Sequence, residues 1–330
     1  MLSGRFILTA LIVLGLAPGT FLRTHIDDRP HTYHIHIERL DEVVFDGPLS
    51  LTGAWELTSS HDHFGGFSAL VADREGTLLA ASDRGWMLTL PWSEAGPAEE
   101  QARFAFFAER ESGPLTMVDL EGLALDPASG TLWGSYENFN RIERVEQSGA
   151  RTNIAPEAMR EWNANSGPET LLRLSDGRFL VLSEGPVIAD DPLRTGLLFP
   201  DDPLSGAQPI AFGLQTPERF SPVDTTELPD GSLLVLLRRL HVRFPAGFDA
   251  AIMRVSLEGI AEGDAIAGEV IASLAGPILS ENWEGITFVC ESDDCSDPVS
   301  ARGSVYVISD DNFSVAQRNL LIRFAWPKDG

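Results

Sequence analysis

Leu120-Glu121-Gly122-Leu123-Ala124-Leu125-Asp126-Pro127-Ala128-Ser129-Gly130-Thr131-Leu132-Trp133-Gly134-Ser135-Tyr136-Glu137-Asn138 reads as two apolar strands joined by a Gly-containing turn, with polar residues at both outer ends. The same phrase returns four more times. It runs Phe67–Ala72 then Thr77–Arg84, and Pro168–Leu172 then Arg178–Glu184, with further starts at Val223-Asp224 and Trp283-Glu284-Gly285. The starting residues Ser68, Glu121, Glu169, Asp224 and Glu284 lie roughly 50–60 residues apart, a spacing built of strands and turns that marks a β-propeller blade. The hairpin turns carry Gly76, Gly130, Gly177 and Gly231, where positive φ is needed.

Strand candidates fill the intervals. Trp86–Leu90 and 103–108 complete a first blade, and Arg141–Val145 with 152–155 a second. Gly196–Phe199 and 208–212 complete a third, and 251–256 with Glu269–Leu274 a fourth. The last copy holds only three: Ile286–Cys290, 304–309 and Asn319–Trp326. A strand at 49–57 is available to complete it, closing the ring and covering a sheet edge. The expectation is an all-β fold, a single propeller of five four-stranded blades closed by an N-terminal strand. Six blades is the alternative if 38–59 forms a diverged blade. One short helix is expected at 155–163.

The 330 residues carry a formal net charge of -25, with Lys328 the single lysine. Such acidity excludes a nucleic-acid partner, whose phosphates need a basic surface. Arg5 precedes an apolar run from Phe6 to Ala17, short for a membrane span and suited to an export signal. Residues 1–23 are read as a signal peptide or uncleaved anchor, 24–36 as a polar spacer containing His31, His34 and His36, and 37–327 as the propeller. The expected location is periplasmic or secreted, and the expected state a monomer. Cys290 and Cys295 suit that compartment as a disulfide.

In a propeller the innermost strand of each blade lines the channel, and its start sits at one mouth. Glu121, Glu169, Asp224 and Glu284 hold that position, with Ser68 in the first copy. Like charges this close raise their pKa values or demand a cation. Calcium takes six to eight oxygen ligands, so these four and Asp310 are the candidate metal ligands. The ends of the second strands bring Asp83-Arg84, Glu137-Asn138, Glu184, Arg238-Arg239 and Asp310-Asp311 to the same mouth. Arg84 and Arg238 can receive phosphate or carboxylate, and Glu137 or Asp311 can take a proton. Each carboxylate can instead cap a turn or pair with an Arg.

The phrases Ser82-Asp83-Arg84-Gly85, Asp119-Leu120-Glu121-Gly122, Asn165-Ser166-Gly167-Pro168-Glu169, Asn282-Trp283-Glu284-Gly285 and Ser309-Asp310-Asp311-Asn312-Phe313 resemble the bacterial family called "esterase-like activity of phytase". The resemblance spans about Gly65 to Trp326. It implies an exported propeller with calcium and phosphate-ester chemistry. The chain has no lysine-rich pocket and no Gly-x-Ser-x-Gly elbow. The function expected is a calcium-dependent hydrolase acting on a small phosphoester or other ester. The alternative is a non-catalytic binding propeller with a structural metal.

Overall fold

A computed structural model of the chain describes residues 33–326, apart from 42, 46, 48, 94–95, 108–118, 165, 187–191, 242–246, 275–279, 292–294, 296, 298–299 and 315. The leader, His31 and the first part of the spacer lie outside the described residues.

Among the described residues five blade sheets follow one another along the chain, with a two-stranded ribbon of Trp92–Ser93 and Gly96–Pro97 inserted in the first. The first blade is Phe67–Ala72, Leu78–Ser82, Trp86–Leu90 and Arg103–Phe106. The second is Leu120–Asp126, Thr131–Tyr136, Arg141–Val145 and Arg151–Ile154. The third is Pro168–Arg173, Phe179–Pro186, Leu193–Phe199 and Ile210–Gln215. The fourth is Ser221–Glu227, Leu233–His241, Gly247–Val255 and Glu269–Leu274. The fifth takes Asn282–Cys290, Gly303–Asp310 and Asn319–Trp326 from one end of the chain and Ser50–Ser59 from the other. Leu57 pairs with Asn319 and Ala54 with Ile322 in that closing seam. Gly177 (φ 93°) and Gly231 (φ 78°) sit in the left-handed conformation the hairpins require.

The first strand of every blade contacts the first strands of its two neighbours, so these five form the hub. One apolar cluster fills each gap between blades. Tyr306 and Ile308 meet Phe67 and Leu70 between the fifth and first, for example, and Trp133 meets Phe179 between the second and third. Each sheet is therefore buried on both faces, which is why its strands read as continuous apolar runs.

Two additions were not legible. Ile35–Arg39 pairs with Ser50–Ser59 on the outer edge of the fifth blade. Ile35 and His36, read as spacer, are therefore sheet residues, and the segment 38–59 serves the fifth blade and builds no sixth. Ala265–Ala267 adds a parallel strand outside the third blade. The expected helix at 155–163 is only a 3-10 turn, Glu157–Met159, introduced by Pro156. Cys290 and Cys295 are bonded, their Cα atoms 6.2 Å apart.

Candidate metal and ester site

The channel mouth is built by a repeated irregularity. In every blade the pairing of first and second strands slips by one residue near the mouth, a β-bulge. A bulge adds an unpaired residue and re-aims its side chain. The bulged residues are Ser68, Glu121, Glu169, Val223 and Glu284. Asp224 is therefore out of step with the three glutamates. It aligns with Ala69, Gly122, Thr170 and Gly285, one residue deeper along the strand.

Asp224 accordingly serves a different purpose from the metal ligation expected of it. It is 1% exposed. Its Oδ2 accepts from the backbone N–H of Leu70 (3.2 Å) in the first blade and of Ile286 (2.8 Å) in the fifth, and its Oδ1 from Thr225 N–H (2.8 Å). Burial pushes its pKa well up against the pull of these three donors. The carboxylate ties three blades together at the hub. It belongs to neither of the metal-sized groups described below.

A second circle stands at the ends of the second strands. The residues one step beyond the pair that flanks each bulge on the mouth side are Asp83, Glu137, Glu184, Arg238 and Asp310. Arg238 is the one cation among four acids. It donates to Glu284, to Asn282 Oδ1 (2.8 Å) and to Glu184 Oε1 (3.1 Å), and lies over the Phe248 ring. Asn282 Nδ2 also donates to Glu284 Oε1 (2.8 Å) and Asp310 Oδ2 (3.3 Å). Glu284, expected as a metal ligand, is thus paired with an arginine and an amide on the fourth- and fifth-blade side, while burial and the charge of Asp83 and Asp311 hold Asp310, also expected as a ligand, well above the usual carboxylate range.

The opposite side gathers more carboxylates, of which Glu184 also meets Arg238. Two groups of carboxylates, Asp119/Glu121/Glu137 and Glu137/Glu169/Glu184, have oxygens within 4.8 Å of one another and share Glu137. Asn138 Nδ2 donates to Asp119 Oδ2 (2.7 Å), and the Gly167 N–H to Glu137 Oε1 (3.1 Å). Burial, then the charge of Glu169 and of Asp119, pushes Glu121 well above the usual carboxylate range. Burial and the charge of Glu184 do the same to Glu169. Burial lifts Glu137 to about 7. Asp119 and Glu184 stand in the sequence motifs without being expected as ligands there. The signal was present: Glu184 occupies the register position of Glu137, and Asp119 lies two residues before the bulged Glu121.

Asp311, expected to take a proton, is committed to a turn. Its Oδ1 accepts from Gly66 N–H (3.2 Å) and Phe313 N–H (3.0 Å), and its Oδ2 from Asn319 Nδ2 (3.0 Å). Burial raises its pKa, and the neighbouring Arg84 opposes that. The Arg84 guanidinium carbon lies 3.3 Å over the Phe313 ring.

The sequence match settles the family. The chain belongs to the phytase-like family described as esterase-like activity of phytase, whose family model matches residues 62–313. No protein of curated function matches the chain. Similar solved structures include a gluconolactonase of Xanthomonas campestris, 12% identical, covering 90% of this chain and 99% of that one, with a TM-score of 0.43. Virginiamycin B lyase of Staphylococcus aureus is 12% identical over 88% of this chain and 99% of that one, TM-score 0.41. A nidogen/laminin complex gives 10% identity, 87% and 92% coverage and a TM-score of 0.40. No chemistry is carried over from these likenesses.

Proposed function

We propose that this phytase-like propeller is an exported hydrolase that cleaves a small ester, a phosphoester foremost, with a divalent cation held among the carboxylates around Glu137 at the mouth. The observation that carries this reading is the pair of carboxylate groups joined through Glu137. Ligand oxygens on one calcium lie 2.3–2.6 Å from it, so no two are more than about 5 Å apart. Both groups meet that limit, and the raised pKa values of Glu121 and Glu169 come from burial first and then from repulsion that a cation would relieve.

Glu137 with Asp119 and Glu121, or Glu137 with Glu169 and Glu184, would hold the cation. When bound, it would polarise the ester oxygen and lower the pKa of water beside it. Glu137, common to both groups and titrating at about 7, is suited to accept a proton from that water near neutral pH. Arg238 is spent on Glu284 and Glu184, so its role is to fix the acidic wall and bound the cation site on one side. The disulfide and the apolar leader support export.

The test is hydrolysis of p-nitrophenyl phosphate and p-nitrophenyl acetate with calcium and with chelator. Calcium-dependent turnover is expected. Glu137→Gln should lower kcat at least about hundredfold and weaken calcium binding, being common to both groups, while Glu169→Gln should weaken calcium binding through one group. A chelator that lowers only the melting temperature, with no turnover of either ester, would replace this reading with a structural cation.

A further inference from the structure

The second and third strands of the fourth blade outrun their first strand at the mouth. Ser221 starts that first strand opposite Arg238. The ladder then continues with Arg239 opposite Asp249, Leu240 opposite Phe248 and His241 opposite Gly247. At about 3.4 Å a pair, the hairpin stands roughly 10 Å proud of the strand beside it. Residues two apart on a strand share a face, so the two faces of this hairpin have different surroundings.

The face toward the third blade is closed. Arg239 Nε donates to Asp249 Oδ2 (2.9 Å), and its guanidinium carbon lies 4.6 Å from the Phe220 ring centre. The other face continues the side on which Leu234, Leu236, Ala250 and Ile252 pack against the fifth blade. It carries Arg238, which reaches Asn282 and Glu284 near the start of the fifth blade's first strand. Leu240 stands two residues further out and is 46% exposed, while Phe248 beside it is buried.

A single exposed apolar side chain needs no explanation. Among the described residues four large ones are strongly exposed, and two of them, Leu240 and Phe139 (41%), stand at this one mouth. Phe139 lies in the turn between Tyr136 and Arg141, two residues past Glu137. Asn140, at φ 46°, holds that turn: its N–H donates to the Glu137 carbonyl (3.0 Å) and its Nδ2 to the Trp162 carbonyl (2.9 Å). A polar centre with apolar groups beside it is the composition of a small-molecule site. Charge narrows the ligand. Arg238, the one cation of the second circle, is spent on Glu284 and Glu184. A ligand bearing many phosphates would meet repulsion from the acids there, and an uncharged apolar group would not.

We propose that Leu240, backed by Phe248, and Phe139 are specificity residues forming an apolar lip that receives the organic group of the ester. The substrate is then a phosphate monoester of an apolar alcohol, and not a polyphosphorylated polyol. The kinetic consequence rests on the hydrolase reading above; the binding consequence does not.

The probes are phenylphosphonate and methylphosphonate, stable compounds that differ in the apolar group. They are titrated by calorimetry into the calcium-loaded full chain, with thermal melts alongside. Wild-type protein is expected to bind the phenyl compound about tenfold more tightly, the worth of roughly 60 Å² of apolar area. Leu240→Ser and Phe139→Ser should each cut that preference by about threefold, and Leu240→Met should keep it. In turnover, Leu240→Ser should raise KM for p-nitrophenyl phosphate by about threefold. Inositol hexakisphosphate should react at least about a hundredfold less efficiently than p-nitrophenyl phosphate. Equal affinity for the two phosphonates, binding of neither, an undiminished preference in both Ser variants, or preferred turnover of inositol hexakisphosphate would overturn the proposal. Turnover of no ester, with the phenyl preference present in wild type and cut in the variants, would refute the hydrolase reading and leave the lip standing. Ester turnover without a phenyl preference would do the reverse.

Discussion

Asp224 gives the sharpest test of the register argument. Replacing it with Ala leaves the N–H groups of Leu70 and Ile286 without acceptors in the hub, and frees Thr225 N–H as well. An unsatisfied buried donor costs about 1–3 kcal/mol. Two cross-blade donors, offset by removal of a carboxylate whose own burial is unfavourable, give a net loss of about 3 kcal/mol. With an unfolding entropy of about 2.1 cal/mol/K per residue, that lowers Tm by roughly 4 °C. Asp224→Asn retains one oxygen for the two cross-blade donors and turns an amide toward Thr225 N–H, so about 1–2 kcal/mol is expected. Calcium titration by calorimetry supplies the other half of the test. Neither substitution should change calcium affinity by more than about twofold. A tenfold loss of calcium affinity with an unchanged Tm would refute the hub assignment and restore Asp224 to the metal ring.

Glu137 titrates at about 7 in the fold against an ordinary value near 4.5, so the folded state keeps a proton that the unfolded chain has released. Stability in chelator should be fullest below about pH 4.5 and fall by about 3 kcal/mol by pH 8 for this group alone. Calcium should restore it at pH 8 and do little at pH 5; a flat Tm between those pH values in chelator would contradict the cause assigned. Arg238→Met strips Glu284 and Glu184 of their shared partner and should cost about 3–5 kcal/mol in urea unfolding; a loss below about 1 kcal/mol would mean the pair is not an effective clamp. Cys290→Ser opens a loop of sequence separation 5, for which the chain-entropy relation gives about 2 kcal/mol. A Tm drop of a few degrees is expected, and global unfolding would show the loop to be a larger part of the fold.

The blades were legible because their signal is redundant. Every first strand is an apolar run, every hairpin has its glycine, and the period repeats. The closing strand could be inferred because the fifth copy was visibly one strand short. The outermost strand at Ile35–Arg39 is polar and alternates weakly, so nothing in its composition set it apart from a spacer. The site was legible in place and only partly in detail. A β-bulge changes which residue faces the mouth without changing the residues, so Asp224 and Val223 could not be told apart by spacing. Partnering was equally hidden. Arg238 and Arg84 look alike in sequence, yet one is clamped between Glu284 and Glu184 while the other lies over the Phe313 ring.

The seam between Ser50–Ser59 and Asn319–Trp326 also sets the order of folding. Its partners are separated by some 270 positions, so their contact lies at the non-local extreme that slows two-state folding. Four blades can form from neighbouring hairpins while the fifth waits for both of its ends. Until they meet, Ser50–Ser59 and the third strand of the last blade are open edges able to pair with another copy. Concentration during refolding, more than temperature, should then decide between monomer and strand-exchanged assemblies.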